Sequence, residues 1–119
     1  MAALTDNSVC LLSTTTGVDM KTGSTTLYTV PVGKSLIIDK VVVRTNSASL
    51  AGGTSYSFTN WLQTVDLSGM TTTTGSRTLW PVTNTTYVIN TTGTAVQITV
   101  TTGSTGAATA ALMLYGTLF

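Results

Sequence analysis

Residues 26–45, TLYTVPVGKSLIIDKVVVRT, constrain the fold of this chain more than any other stretch. Two apolar, β-branched runs flank a Val-Pro-Val-Gly-Lys break. Pro31 fixes φ, has no N–H to give a sheet ladder, and pushes its predecessor into extended backbone. Gly33 supplies positive φ where the turn needs it. The segment therefore reads as a strand, a short turn and a longer strand, paired as a hairpin.

The longer strand places Leu36, Ile38, Lys40, Val42 and Arg44 on one face and Ile37, Asp39, Val41, Val43 and Thr45 on the other. A strand with one wet face alternates cleanly between apolar and polar residues. Here both faces are mostly apolar, with charges clustered at positions 39 and 40. Two explanations fit: a neighbouring subunit covers the second face, or a bulge switches faces mid-strand. The terminal run AATAALMLYGTLF repeats the pattern, with Ala111, Met113 and Tyr115 opposing Ala110, Leu112 and Leu114. By contrast, residues 95–101 alternate properly, with Val96, Ile98 and Val100 set against Gln97, Thr99 and Thr101. A subunit interface is the favoured reading for the double-faced strands, and Ile38, Val42, Leu112, Leu114 and Tyr115 are its candidate residues.

The rest of the chain carries the same signature. Helix periodicity does not survive beyond a turn, and β-branched runs recur between Gly, Pro, Asn and Ser clusters. Strands are expected near residues 9–14, 27–30, 35–45, 55–59, 61–65, 77–80, 85–90, 95–101 and 107–119, the fifth of these either separate or an extension of the fourth. Residues 15–24, 46–53 and 67–75 read as loops, the last as a flexible one. About eight antiparallel strands in 119 residues make one all-β domain over residues 1–119, a jelly-roll-like β-sandwich, with a closed barrel as the alternative. Residues 1–8 read as a flexible N-terminal arm.

Charge narrows the function. Charged residues are 8% of the chain, against roughly 25% in an average soluble protein. A net charge of +1 argues against neutralising phosphates, so nucleic acid is not an expected partner. No run approaches the roughly 20 apolar residues of a membrane helix, and the N-terminus has no secretory pattern. Synthesis in a cytoplasm is expected. Cys10 is the sole cysteine, which excludes an intrachain disulfide and suggests a small buried hydrophobe in the first strand.

Catalytic readings fare badly. The chain has no histidine, which removes Ser-His-Asp and Cys-His arrangements and His-containing zinc sites. Its only acids are Asp6, Asp19, Asp39 and Asp66, without the spacing of a calcium loop. The VGKS at residues 32–35 lacks the earlier glycine and the following helix of a phosphate loop. No catalytic residue, metal ligand or cofactor is expected. Asn84 and Asn90 each head an Asn-Thr-Thr acceptor pattern, a chance match in so Thr-rich a chain. Trp61, Trp80, Tyr56, Tyr87 and Tyr115 are the candidates for a sugar-stacking platform, weighed against core or interface packing. An ice-binding threonine ladder is disfavoured by irregular spacing.

Residues 27–58 (LYTVPVGKSLIIDKVVVRTNSASLAGGTSYSF), 61–70 (WLQTVDLSGM) and the closing GSTGAATAALMLYGTLF together resemble small proteins of tailed bacteriophages and prophages. The shared pattern is a Tyr-Thr-Val-Pro-x-Gly-Lys turn, a long Val-rich strand, a Ser-Leu-Ala-Gly-Gly loop and a terminal strand ending near Gly-x-Leu-Phe. The resemblance implies a head decoration (cement) protein or a fibre-tip domain, a trimeric jelly roll on an icosahedral shell. It implies as partners a homotrimer of this chain and the major capsid protein, and a place on the virion surface. The arm, with Ala2, Ala3 and Leu4, would touch the shell. The alternative is a receptor- or glycan-binding domain of a fibre or tail tip.

Overall fold

The structure is a computed structural model and describes residues 9–59, 62–80, 87–89 and 93–119, with side chains left aside at 62, 63 and 87–89. The arm residues Ala2, Ala3 and Leu4 lie outside the described residues, as do Trp61 and both Asn-Thr-Thr segments in part or whole.

Among the described residues nine strands follow one another: β1 (Cys10–Asp19), β2 (Ser24–Thr29), β3 (Leu36–Arg44), β4 (Ser55–Phe58), β5 (Leu62–Val65), β6 (Ser76–Leu79), β7 (Tyr87–Ile89), β8 (Ala95–Thr102) and β9 (Thr109–Leu118). They form two antiparallel sheets that pack as a β-sandwich. One runs β1-β9-β3-β6, with β7 also paired to β3; the other runs β2-β8-β4-β5. β6 and β7 lie end to end on the same edge of β3, pairing with Val41–Arg44 and with Leu36–Ile38 respectively. Between the sheets sit Val18, Met20, Leu27, Leu36, Ile38, Val41, Val43, Tyr56, Phe58, Val96, Ile98, Leu112 and Leu114, all buried.

The hairpin expected over residues 26–45 does not form. β2 pairs with β8 and β3 pairs with β9, so the Pro31–Gly33 turn carries the chain from one sheet to the other. Locally it is the turn expected: Lys34 N–H donates to the Pro31 carbonyl at 3.1 Å, and Gly33 takes φ +77°. The strands on either side are held by the chain's second half. Val30 N–H donates to Thr94, and Ser35 and Phe119 exchange backbone bonds at 2.8 and 3.0 Å. Both flanking runs are apolar enough to need burial, and long-range partners supply it.

The double-faced pattern of β3 is explained by a bulge. The register against β9 shifts between Ile38 and Lys40, so the buried residues change from even (Leu36, Ile38) to odd (Val41, Val43). Asp39 occupies the extra position, where a half-exposed carboxylate costs least. Gly116, paired with Ile38, admits this close approach: a Cβ there would stand 2.5 Å from the Ile37 carbonyl oxygen.

Three further expectations are corrected. β1 continues through residue 19, because two bulges and Gly17 at φ +67° let an edge strand bend without ending. Cys10 is exposed at the start of that edge strand. The loop at 67–75 is pinned. Buried Asn46 donates from Nδ2 to the Ala48 and Thr72 carbonyls at 2.9 and 2.8 Å, and its Oδ1 accepts from Gly75 N–H at 2.9 Å. Asn46→Ala strips all three groups of their partner, and a stability loss on the order of 3 kcal/mol is expected in urea denaturation; a loss near zero would mean that water replaces the amide.

Two aspartates cap turns. Asp19 Oδ1 accepts from the N–H groups of Lys21 (2.8 Å) and Thr22 (3.2 Å), which lowers its pKa from the ordinary 3.8. Asp66 Oδ1 accepts from the Ser68 hydroxyl (2.6 Å) and N–H (2.9 Å), again lowering the pKa. A depressed folded-state pKa adds stability above the unfolded value and loses it as pH falls through the folded value. With no histidine in the chain, the melting temperature should stay level between about pH 5 and about pH 8 and fall below 3.8. Calorimetry across that range checks this, and Asp19→Asn should shrink the acid-side fall.

Candidate functional site

The two outer faces of the sandwich differ in chemistry. On the five-stranded sheet, register alone builds two rows. Thr14, Met113, Val42 and Thr78 stand side by side across β1, β9, β3 and β6. Leu11, Tyr115 and Lys40 form the adjacent row, with Trp80 just past the end of β6. Ile37 and Ala111 extend the same face along β3 and β9. Val42, Met113 and Tyr115 are half-buried, whereas Leu11 and Trp80 remain 45% and 58% exposed.

Lys40 is the central polar group of this face, and aromatic rings surround it. Its Nζ lies 5.1 Å from the centroid of Trp80 and 4.8 Å from that of Tyr115. Each ring presents the negative face of its quadrupole to the ammonium, an attraction of about 0.5–2 kcal/mol. The lysine stem spreads over the two rings, so its charge interrupts the apolar surface less than its formula suggests. Arg44 lies further along β3, its Nη1 3.9 Å from Met113 Sδ.

The four-stranded sheet turns the opposite chemistry outward. Ser55, Ser57, Thr59, Thr64, Thr99 and Thr101 line a shallow groove of about 340 Å³. Gln97 Nε2 donates to Thr26 Oγ1 at 3.0 Å beside it. This face presents hydroxyls and carries no charge at the groove.

A second groove of about 350 Å³ lies at the side of the sandwich, lined by residues of the edge strands β5 and β6. Thr64, Asp66, Arg77, Thr78 and Trp80 rim it over Val65 and Leu79. An Arg77 Nη1–H donates to the Asp66 carbonyl oxygen and ties the two edges together.

The five candidate interface residues divide into two groups. Ile38, Leu112 and Leu114 point into the core at 2%, 0% and 0% exposure and have no surface to offer a second copy. Val42 and Tyr115 are on the outer face. The bulge at Asp39 is the reason: it puts Ile38 and Val42, two even positions, on opposite sides. Of the candidate stacking aromatics, Tyr56 is fully buried and donates its hydroxyl to the Met20 carbonyl at 2.7 Å, while Trp80 and Tyr115 stand together around Lys40. Trp61 and the Tyr87 side chain lie outside the described residues. Sequence reading overlooked Met113 as a surface residue and Lys40 as the centre of a cluster; the bulge hides Lys40 from simple alternation, and Met113 is masked because both faces of β9 are apolar. Among the described residues, no three Cys or Asp side chains come together as metal ligands.

No protein-family model, curated protein or solved structure matches the chain.

Burial separates core from surface in a way that mutation can read. Leu114→Ala should cost about 2–5 kcal/mol by opening a cavity between the sheets. Val42→Thr on the outer face should change the stability of an isolated chain by less than about 1 kcal/mol. Equal losses at the two positions in chemical denaturation would contradict the assigned faces.

Proposed function

We propose that this chain is a non-enzymatic structural protein of a bacteriophage virion, a capsid decoration protein that assembles as a homotrimer and clamps the outer surface of the head. The observation that carries the reading is the contrast between the outer faces. The five-stranded sheet exposes Leu11, Val42, Met113 and Tyr115, while the four-stranded sheet exposes serine and threonine. An apolar face of this kind is an interaction surface by its composition. A second and third copy of the chain are its proposed occupants, because closed symmetry covers such a face on every subunit at once.

The jelly-roll reading belongs to the same proposal. Counting β6 and β7 as one interrupted strand leaves eight, in the orders first-eighth-third-sixth and second-seventh-fourth-fifth. Those orders support the jelly-roll reading, in which an antiparallel ribbon is wrapped into two sheets. The resemblance to phage head proteins supports the shell as the larger partner, and low net charge suits subunits packed at high density. The mechanism is mechanical: many small interfaces, repeated by symmetry, resist pressure from packaged DNA.

Light scattering on the purified chain tests assembly. A mass three times 12.3 kDa is expected, with Val42→Glu returning it to 12.3 kDa while circular dichroism stays unchanged. A monomeric parent chain would remove the trimer. Co-sedimentation with empty heads of the phage or prophage encoding the chain tests the shell contact, and failure to sediment with them would remove the decoration role.

A further inference from the structure

We propose that the groove between β5 and β6 binds a neutral carbohydrate, taking one pyranose ring against Trp80. The site lies on the side of the sandwich and stands independently of assembly through the sheet face.

The argument starts from Trp80. Its indole is 58% exposed at the end of a strand, a flat apolar ring open to a partner. Its neighbours in the groove are polar and held in place. Asp66 Oδ1 accepts from both the N–H and the hydroxyl of Ser68, which orients the carboxylate and leaves Oδ2 as an acceptor. Arg77 spends one N–H on the Asp66 carbonyl and keeps the rest of its guanidinium fork for donation. The hydroxyls of Thr64 and Thr78 add groups that donate or accept, and Val65 and Leu79 close the floor.

A pyranose has an apolar C–H face and a rim of hydroxyls that both donate and accept. A flat aromatic ring beside a fixed acceptor, a fixed donor fork and two hydroxyls matches both features. The volume of about 350 Å³ holds one ring with room for part of a second. Asp66 balances Arg77, so the groove has no net charge to prefer a phosphate or a uronic acid. Lys40 does not line the groove, so its ammonium meets Trp80 from outside. That contact holds the indole in place before any ligand arrives, which reduces the ordering cost of binding.

Saturation-transfer NMR with methyl glycosides of glucose, galactose, mannose and N-acetylglucosamine at millimolar concentration tests the site. Transfer to the C–H protons of at least one glycoside is expected. Trp80→Ala should abolish it, and Arg77→Ala should weaken the affinity about tenfold by removing a charged donor. Arg77 is exposed, so its variant keeps the fold even if loss of Trp80 disturbs the Lys40 cluster; an unchanged melting temperature verifies this. No transfer to any glycoside, or transfer that survives both substitutions, would overturn the proposal. Light scattering on the same samples keeps the two readings apart, since lost sugar binding at unchanged mass concerns the groove alone.

Discussion

The pairing of β3 with β9, and the bulge within it, is the constraint on which the rest of the sandwich depends. These two strands are the interior of the five-stranded sheet, and each brings apolar residues to both of its faces. An undisturbed ladder would force Lys40 inward with Ile38. The extra residue at Asp39 exchanges the faces, so that Leu36 and Ile38 before it and Val41 and Val43 after it all reach the core. Gly116 makes room for the distortion on the partner strand, where a side chain would strike the Ile37 carbonyl.

The same distortion creates the outer surface. Once the faces are exchanged, Lys40 and Val42 emerge together opposite Tyr115 and Met113, and Trp80 closes over the ammonium from the edge. A lysine that alternation would have buried becomes the centre of an aromatic cluster. On β8 of the opposite sheet the irregularity comes only at Thr101, beyond buried Val96 and Ile98, and leaves Thr99 and Thr101 outside. Chemical contrast between the two exteriors therefore follows from one inserted residue.

The loops show a related economy. Tyr56 reaches across the core to the Met20 carbonyl, and Asn46 satisfies three backbone groups of two loops that sequence reading treated as separate. Neither role is legible locally, because the Tyr56 bond and two of the three Asn46 bonds join segments more than 25 residues apart. The hydrogen-bonding demand of buried backbone is general; the residue that meets it is set by the tertiary arrangement.

Much of the architecture was legible in the chain itself. β-branched runs between Gly, Pro and Asn clusters located the strands to within a few residues, because period and turn chemistry are local properties. The absence of histidine and the scarcity of charge limited the chemistry on the same footing. Pairing was another matter. The turn at Pro31 and Gly33 has the local form of a hairpin, yet β2 and β3 separate into different sheets because β8 and β9 offer them longer partners. Whether Ile38 and Val42 share a face was likewise undecidable from alternation, since a bulge changes parity without changing composition, and which face of β9 points outward was hidden because both are apolar. Sequence determined the strands and their apolar content, which depend on neighbouring residues; only the tertiary structure decided partners and faces, which depend on contacts between distant ones.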